Sequence, residues 1–292
     1  TNTMSKDKLN IGILTDLSFR KFAPTKQNKR MVSMYANMSQ SDSSMHRGHT
    51  DLVESSWVKG IQRLETEARN LRDTYTVAWF GETENDGGKP KFVKRDGMRL
   101  LPAGCITPYQ DKLASLKKKW ESAVDEFVNR WGEIVEDSRQ RLNGDFDPTK
   151  YPSAQHIRSR FQMRAEFMPM PDNSRLPSYL QDGMDDMYDE RVKAAGTELR
   201  IRLIDKLKHL RDKCANVGGE SSGKFYTSNV TNVLELCELL PDMLIGDDPE
   251  LVKAIEDAKH MLDGLDADAI KSSEIIAQDV RSKASAIASS LI

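Results

Sequence analysis

The chain has 292 residues, of which 38% are hydrophobic and 30% charged, with only 11 Pro and 17 Gly. That balance suits long amphipathic helices with little interior per residue better than a compact enzyme, and no run of about 18 apolar residues exists to form a transmembrane helix. The net charge of −2 hides an asymmetry, because residues 1–165 hold 28 Lys and Arg against 21 Asp and Glu while the remainder hold 15 against 24.

Residues 9–22 read as a strand, opening on Ile11, Ile13 and Leu14. Residues 23–50 are polar and read as a loop with a short helical piece at 30–38. Residues 51–78 form the first long helix. Its apolar stripe is Val53, Trp57, Ile61, Leu64, Ala68, Leu71 and Tyr75, in steps of three and four. Short strands at 76–80, 91–93 and 98–101 follow, separated by turns at Asp86-Gly87 and Asp96-Gly97. With the N-terminal strand they make a small β element.

Residues 107–142 carry the strongest pattern. Tyr109, Leu113, Leu116, Trp120, Val124, Phe127, Trp131, Ile134, Ser138 and Leu142 line one face. A helix of that length runs roughly 54 Å at 1.5 Å per residue. A stripe with two Trp and a Phe must be covered by another element. The simplest cover is the first long helix folded back antiparallel. That helix is shorter, which leaves one end of the stripe, around 134–142 or 109–116, to be covered by the β cap, the C-terminal helices or another subunit; Trp120, Phe127 and Trp131 are the candidate partner-interface residues.

Asp145-Phe-Asp-Pro148 breaks the helix, and Ser153 after Tyr151-Pro152 is an N-cap. The short helix it opens, extending to 167, carries Arg158, Arg160 and Arg164. Helices are then predicted at 182–217, at 228–240 before Pro241, at 248–262 with Asp248 as N-cap and Pro249 first, and at 266–291. The fold class is therefore mainly α: a long antiparallel helical hairpin with a small β cap, followed by a C-terminal helical bundle. Domains are expected at 1–178 and 179–292.

Motifs that could carry chemistry fail on their surroundings. Gly218-Gly-Glu-Ser-Ser-Gly223-Lys224 begins a phosphate-binding loop, but Phe225 stands where a Mg²⁺-holding hydroxyl belongs. The segment before it reads as a charged helix, not a buried strand. His46-Arg-Gly-His49 offers two imidazoles without further ligands in reach. Asp182, Asp185, Asp186, Asp189 and Glu190 read as carboxylates at a helix start. Three widely separated cysteines, Cys105, Cys214 and Cys237, read as free thiols of a reducing cytoplasm, and residues 1–10 lack the apolar core of a secretory signal. No catalytic residues, cofactor or metal are expected. Lys117, Lys118, Lys119, Arg158, Arg160 and Arg164 are candidate nucleic-acid contacts.

The order of features, with Tyr75-Thr-Val77, Leu101-Pro102, Phe127, Trp131, Tyr151-Pro-Ser153 and Arg158-Ser-Arg-Phe161, resembles an uncharacterised family from phages, plasmids and integrative elements. The resemblance covers about residues 8–170. Members of that family are often encoded beside MoxR-like or cobalt-chelatase-like AAA+ ATPases and von Willebrand A-type proteins. The resemblance implies an accessory partner of an ATPase machine and supplies no catalytic residues. The leading expectation is a non-enzymatic, homo-oligomeric adaptor or scaffold partnering an AAA+ ATPase in the bacterial cytoplasm, without a membrane. The alternatives are a nucleic-acid-binding accessory protein in recombination or packaging, or a structural subunit of a phage particle.

Overall fold

The computed structural model describes residues 11–40, 42, 44, 48–79, 81–86, 89–94, 97–171, 177–217 and 225–292. The chain is mainly helical with a small antiparallel sheet. In order the elements are β1 (Gly12–Arg20), β2 (Thr25–Gln27), α1 (Lys29–Ser39), β3 (His49–Asp51), α2 (Ser55–Tyr75), β4 (Val77–Ala78), β5 (Gly81–Asp86), β6 (Lys89–Lys94) and β7 (Arg99–Pro102). Then come α3 (Ile106–Asn129), α4 (Trp131–Leu142), α5 (Ala154–Arg160), β8 (Gln162–Pro169), α6 (Ser178–Cys214), α7 (Ser228–Met243), α8 (Pro249–Leu262), α9 (Ala267–Ser272) and α10 (Glu274–Ser290). No described helix is long and apolar enough to cross a membrane.

The sequence places a domain boundary near 178. Contacts divide the chain into two discontinuous units, one of residues 1–16, 73–108 and 166–292 and one of residues 17–72 and 109–165. In the first unit β7 pairs antiparallel with both β1 and β4, matching Gly12 to Pro102 and Val77 to Leu100. The sheet order is β4-β7-β1-β8. Gly12 is required by this approach, since a Cβ there would lie 2.1 Å from the Leu101 carbonyl oxygen. β5 and β6 form a separate hairpin. α6 packs on α7 and α10, and α8 packs on the same two helices. Leu199, Leu203, Leu207 and Leu210, in steps of four, four and three, are fully buried along α6.

A buried ionic knot joins α6 to β4 and β7. The Glu198 carboxylate accepts from the Ala78 N–H at 2.7 Å and from Arg202 at 2.7 Å, and Arg99 lies 3.7 Å away. Arg99 also donates to Thr76 Oγ1 at 2.6 Å, and Arg99 and Arg202 both donate to the Thr76 carbonyl, at 3.1 and 2.6 Å. Burial pushes the Glu198 carboxyl up, but Arg202, the Ala78 N–H and Arg99 together outweigh it and hold the group below its ordinary value.

In the second unit the core is aromatic. Trp120 packs against Phe19 and Phe161, and Phe127 against Phe161 and Trp131. Trp131 meets Phe22 edge-on at 5.6 Å and Tyr151 at 6.2 Å, and its Nε1–H donates to the Pro152 carbonyl at 2.8 Å. The Phe19 ring also carries the Arg69 guanidinium at 4.7 Å, so it touches both α2 and α3. At the start of α2, Trp57 donates to Asp137 of α4 at 3.2 Å and sits under the Arg130 guanidinium.

Several expectations need correction. The predicted 107–142 helix is two helices meeting at Arg130. Hydrogen bonds from Arg130 N to Glu126 O and from Ile134 N to Arg130 O bridge the break, so the stripe keeps its register. Gly132, a weak helix former, lies two residues past the break. The stripe of α2 is rotated: Val58, Ile61, Glu65, Ala68 and Tyr75 are buried, while Trp57, Leu64 and Leu71 are only partly so. Glu65 stays on that face because Lys21 donates to it at 2.7 Å. The predicted helix at 156–167 ends at Arg160, and Arg164 lies on β8 instead. Phe161 and Met163 are buried while Gln162 and Arg164 are exposed, and that alternation belongs to a strand. α6 starts at Ser178, so Asp185, Asp186 and Asp189 lie beyond its first turn and do not complement its terminus. Ser273 divides the last predicted helix by capping α10.

Two stability measurements follow. Trp131→Ala removes a ring at the centre of the aromatic core, and chemical denaturation should show a loss of about 3–5 kcal/mol. A change under about 1 kcal/mol would mean that the ring is not packed as described. Glu198→Ala removes the buried carboxylate shared by Arg99, which is buried, and Arg202, which is half-buried, and should cost about 3–5 kcal/mol. A depressed carboxyl contributes stability above its unfolded-state pKa and loses it as pH falls through the folded value. Acid titration of stability below about pH 4.5 should therefore be shallower in Glu198→Gln than in the parent chain.

Candidate interaction surfaces

The candidate partner residues Trp120, Phe127 and Trp131 are all buried, at 5% exposure or less. They are covered by Phe19, Phe22, Tyr151 and Phe161 of their own unit. Rings spent on an internal core present no surface to a second molecule.

The candidate basic residues do not converge. Lys117, Lys118 and Lys119 are exposed on α3, and consecutive helical positions fan them about 100° apart. Arg158 is turned to Asp125, whose Oδ1 lies 2.7 Å from its Nε. Arg160, two residues on, turns elsewhere and donates its Nε–H to His156 Nε2 at 3.1 Å. Arg164 is exposed on β8.

Groups that could do covalent or metal chemistry are sparse. Among the described residues no three of His, Cys, Asp and Glu gather as a metal-ligand set. The phosphate-loop-like segment at 218–224 and His46 lie outside the described residues. Cys105, Cys214 and Cys237 are buried free thiols. Burial pushes each to about 11, with Asp242 adding to the effect at Cys105 and Glu238 at Cys237.

The surface missed by sequence lies on α1. Met31, Met34, Tyr35 and Met38 are exposed by 48%, 56%, 59% and 84%. Their spacing of i, i+3, i+4 and i+7 puts them on one face, beside the face that buries Val32 and Ala36. Both faces are apolar, so the helix has more apolar surface than its own unit covers. The signal was present in residues 31–38, but a two-sided pattern in a polar segment reads as weak amphipathicity.

The base of α1 is fixed. The Asn28 side chain accepts from the Met31 N–H at 3.0 Å and donates to Thr50 Oγ1 at 2.8 Å, and its backbone N–H donates to the Gly48 carbonyl at 2.9 Å. β2 and β3 pair immediately below it, Gln27 opposite His49.

No protein-family model matches this chain, and neither a curated protein nor a solved structure matches it. In the folded chain all three thiols should resist iodoacetamide at neutral pH and react only after denaturation. Mass spectrometry of protein alkylated before and after unfolding checks this, and stoichiometric labelling of any one in the native state would contradict the described burial.

Proposed function

We propose that the chain is a non-enzymatic, self-associating adaptor of a phage or other mobile element, and that it engages an AAA+ ATPase through α1. The observation that carries the reading is the exposed stripe of Met31, Met34, Tyr35 and Met38. Methionine side chains are flexible and polarisable, and suit a surface that must mould to a partner helix or groove. Contiguous exposed apolar surface on a water-facing helix marks an interaction site more often than an idle one. The ATPase as partner rests on the resemblance of residues 8–170 to the mobile-element family.

The same reading treats α2 with α3 and α4 as one antiparallel hairpin, and α6 to α10 as a bundle. The Trp57–Asp137 hydrogen bond supports the first. The packing of α6 and α8 on α7 and α10 supports the second. In an adaptor, such rigid elements would hold the α1 stripe at a defined place.

The test is co-purification with a MoxR-like AAA+ ATPase, followed by ATP turnover with and without the chain. The wild-type chain should associate and change the rate, and Met34→Asp combined with Met38→Asp should abolish both effects while leaving the melting temperature within a few degrees. Neither association nor a change in rate with the wild-type chain would remove the adaptor reading. Light scattering on the same pair of proteins tells whether the stripe also serves self-association.

A further inference from the structure

Within the second unit, stretches 21–26 and 149–160 enclose a cleft of about 400 Å³. Four cations line it: Lys21, Lys26, Lys150 and Arg160. No carboxylate lines it among the described residues. Two of the cations have counter-charges outside the lining. Lys21 is 2.7 Å from Glu65, and Lys150 is 3.8 Å from Asp147. Lys26 and Arg160 form no ion pair among the described residues, and the Arg160 Nε–H donates to His156 Nε2.

Like charges gathered in a concavity raise the local potential and repel one another, and an anion of more than one charge relieves both. We infer that this cleft binds a phosphate group, with Lys26 and Arg160 as its principal contacts. Arg160 supplies a planar fork suited to two phosphate oxygens, and Lys26 a movable point charge. Thr149 also lines the cleft, with its hydroxyl already donating to Asp147 Oδ1 at 2.6 Å. A volume of about 400 Å³ lies in the range of sites for small organic molecules, larger than a bare anion needs. Phe22, Ala23 and Pro152 contribute apolar lining for the rest of the ligand. The chemistry that fits is therefore a nucleotide phosphate, either on a free nucleotide or within a nucleic-acid strand. A singly charged carboxylate fits four cations less well. The site is independent of the adaptor reading, since none of its residues belongs to the α1 stripe.

The experiment uses the full chain and two fluorescent probes at about 50 mM salt, a regime in which phosphate contacts are strong. One probe is a labelled single-stranded oligothymidylate and the other a labelled ATP. At least one should bind, and its affinity should fall steeply with added salt. Lys26→Glu with Arg160→Glu should weaken binding by at least about tenfold, since each loses a charged phosphate contact. Lys26→Arg with Arg160→Lys should retain most of it. Both positions are exposed, so the fold should persist, and Lys26→Ala with Arg160→Ala carries the same test if charge reversal unfolds the chain. Oligonucleotide binding that unlabelled ATP does not displace assigns the site to a nucleic-acid strand. ATP binding that inorganic phosphate displaces assigns it to a small ligand. Failure of both probes to bind overturns the inference. So does an equal loss in Lys117→Glu with Lys118→Glu, or displacement of either probe by polyglutamate as effectively as by polyphosphate.

Discussion

The covering of Trp131 organises the second unit. An indole this large cannot be left in water without forfeiting several kcal/mol, roughly the amount its removal from a core costs. Two distant pieces of chain cover it: Phe22 edge-on, and the Tyr151-Pro152 step, which supplies a ring and the carbonyl that accepts its N–H. Once those pieces are fixed, their neighbours are fixed with them. Lys21 and Lys26 flank Phe22 in sequence, while Lys150 and Arg160 flank the Tyr151-Pro152 step. The same two stretches line the basic cleft. The Tyr151 hydroxyl then donates to the Leu52 carbonyl at 2.7 Å, which anchors the entry to α2 in the same unit.

Charge is handled differently in the two units. Most ion pairs of the second unit are exposed neighbours on a helix, such as Arg63–Glu67 and Arg141–Asp137. Such pairs contribute little to stability and leave the chain free to carry an excess of cations. The first unit places one carboxylate, Glu198, between two guanidinium groups and a backbone N–H. A buried arrangement of that kind is costly to break although weak as a net source of stability, and it specifies which turn of α6 meets β4 and β7. The Arg200–Asp248 pair, at 2.6 Å, adds a half-buried link from α6 to the start of α8, where Asp248 also caps the helix.

The long apolar stripe was legible because it obeys a helical period over many turns. Tyr109, Trp120, Val124, Phe127, Trp131 and Ile134 are all buried as their spacing requires. The caps at Ser153, Asp248 and Asp266 were legible for a local reason: each side chain accepts from an N–H three residues on. What periodicity cannot supply is the identity of the cover. Phe19 and Phe22 sit on or just after a strand far from α3 in sequence, and only tertiary structure brings them to its face. Arg164 was misplaced because Arg-Ser-Arg-Phe-Gln-Met-Arg can be read as a helix or as an alternating strand over so few residues. Glu65 on a buried face contradicts any apolar template, and its partner Lys21 is 44 residues away. The cleft was illegible for the same reason: of its four cations only Arg160 stood in a visible cluster.

The two surfaces of the second unit meet at β2. Lys26 faces the cleft, and Asn28, two residues later, caps α1. Between them Gln27 pairs with His49, and Asn28 itself is held by Thr50 and Gly48. β2 is only three residues long, so Lys26 at the cleft and the Asn28 cap of α1 rest on the same short pairing. The Asn28 hydrogen bonds keep the first turn of α1 in place whichever face is occupied.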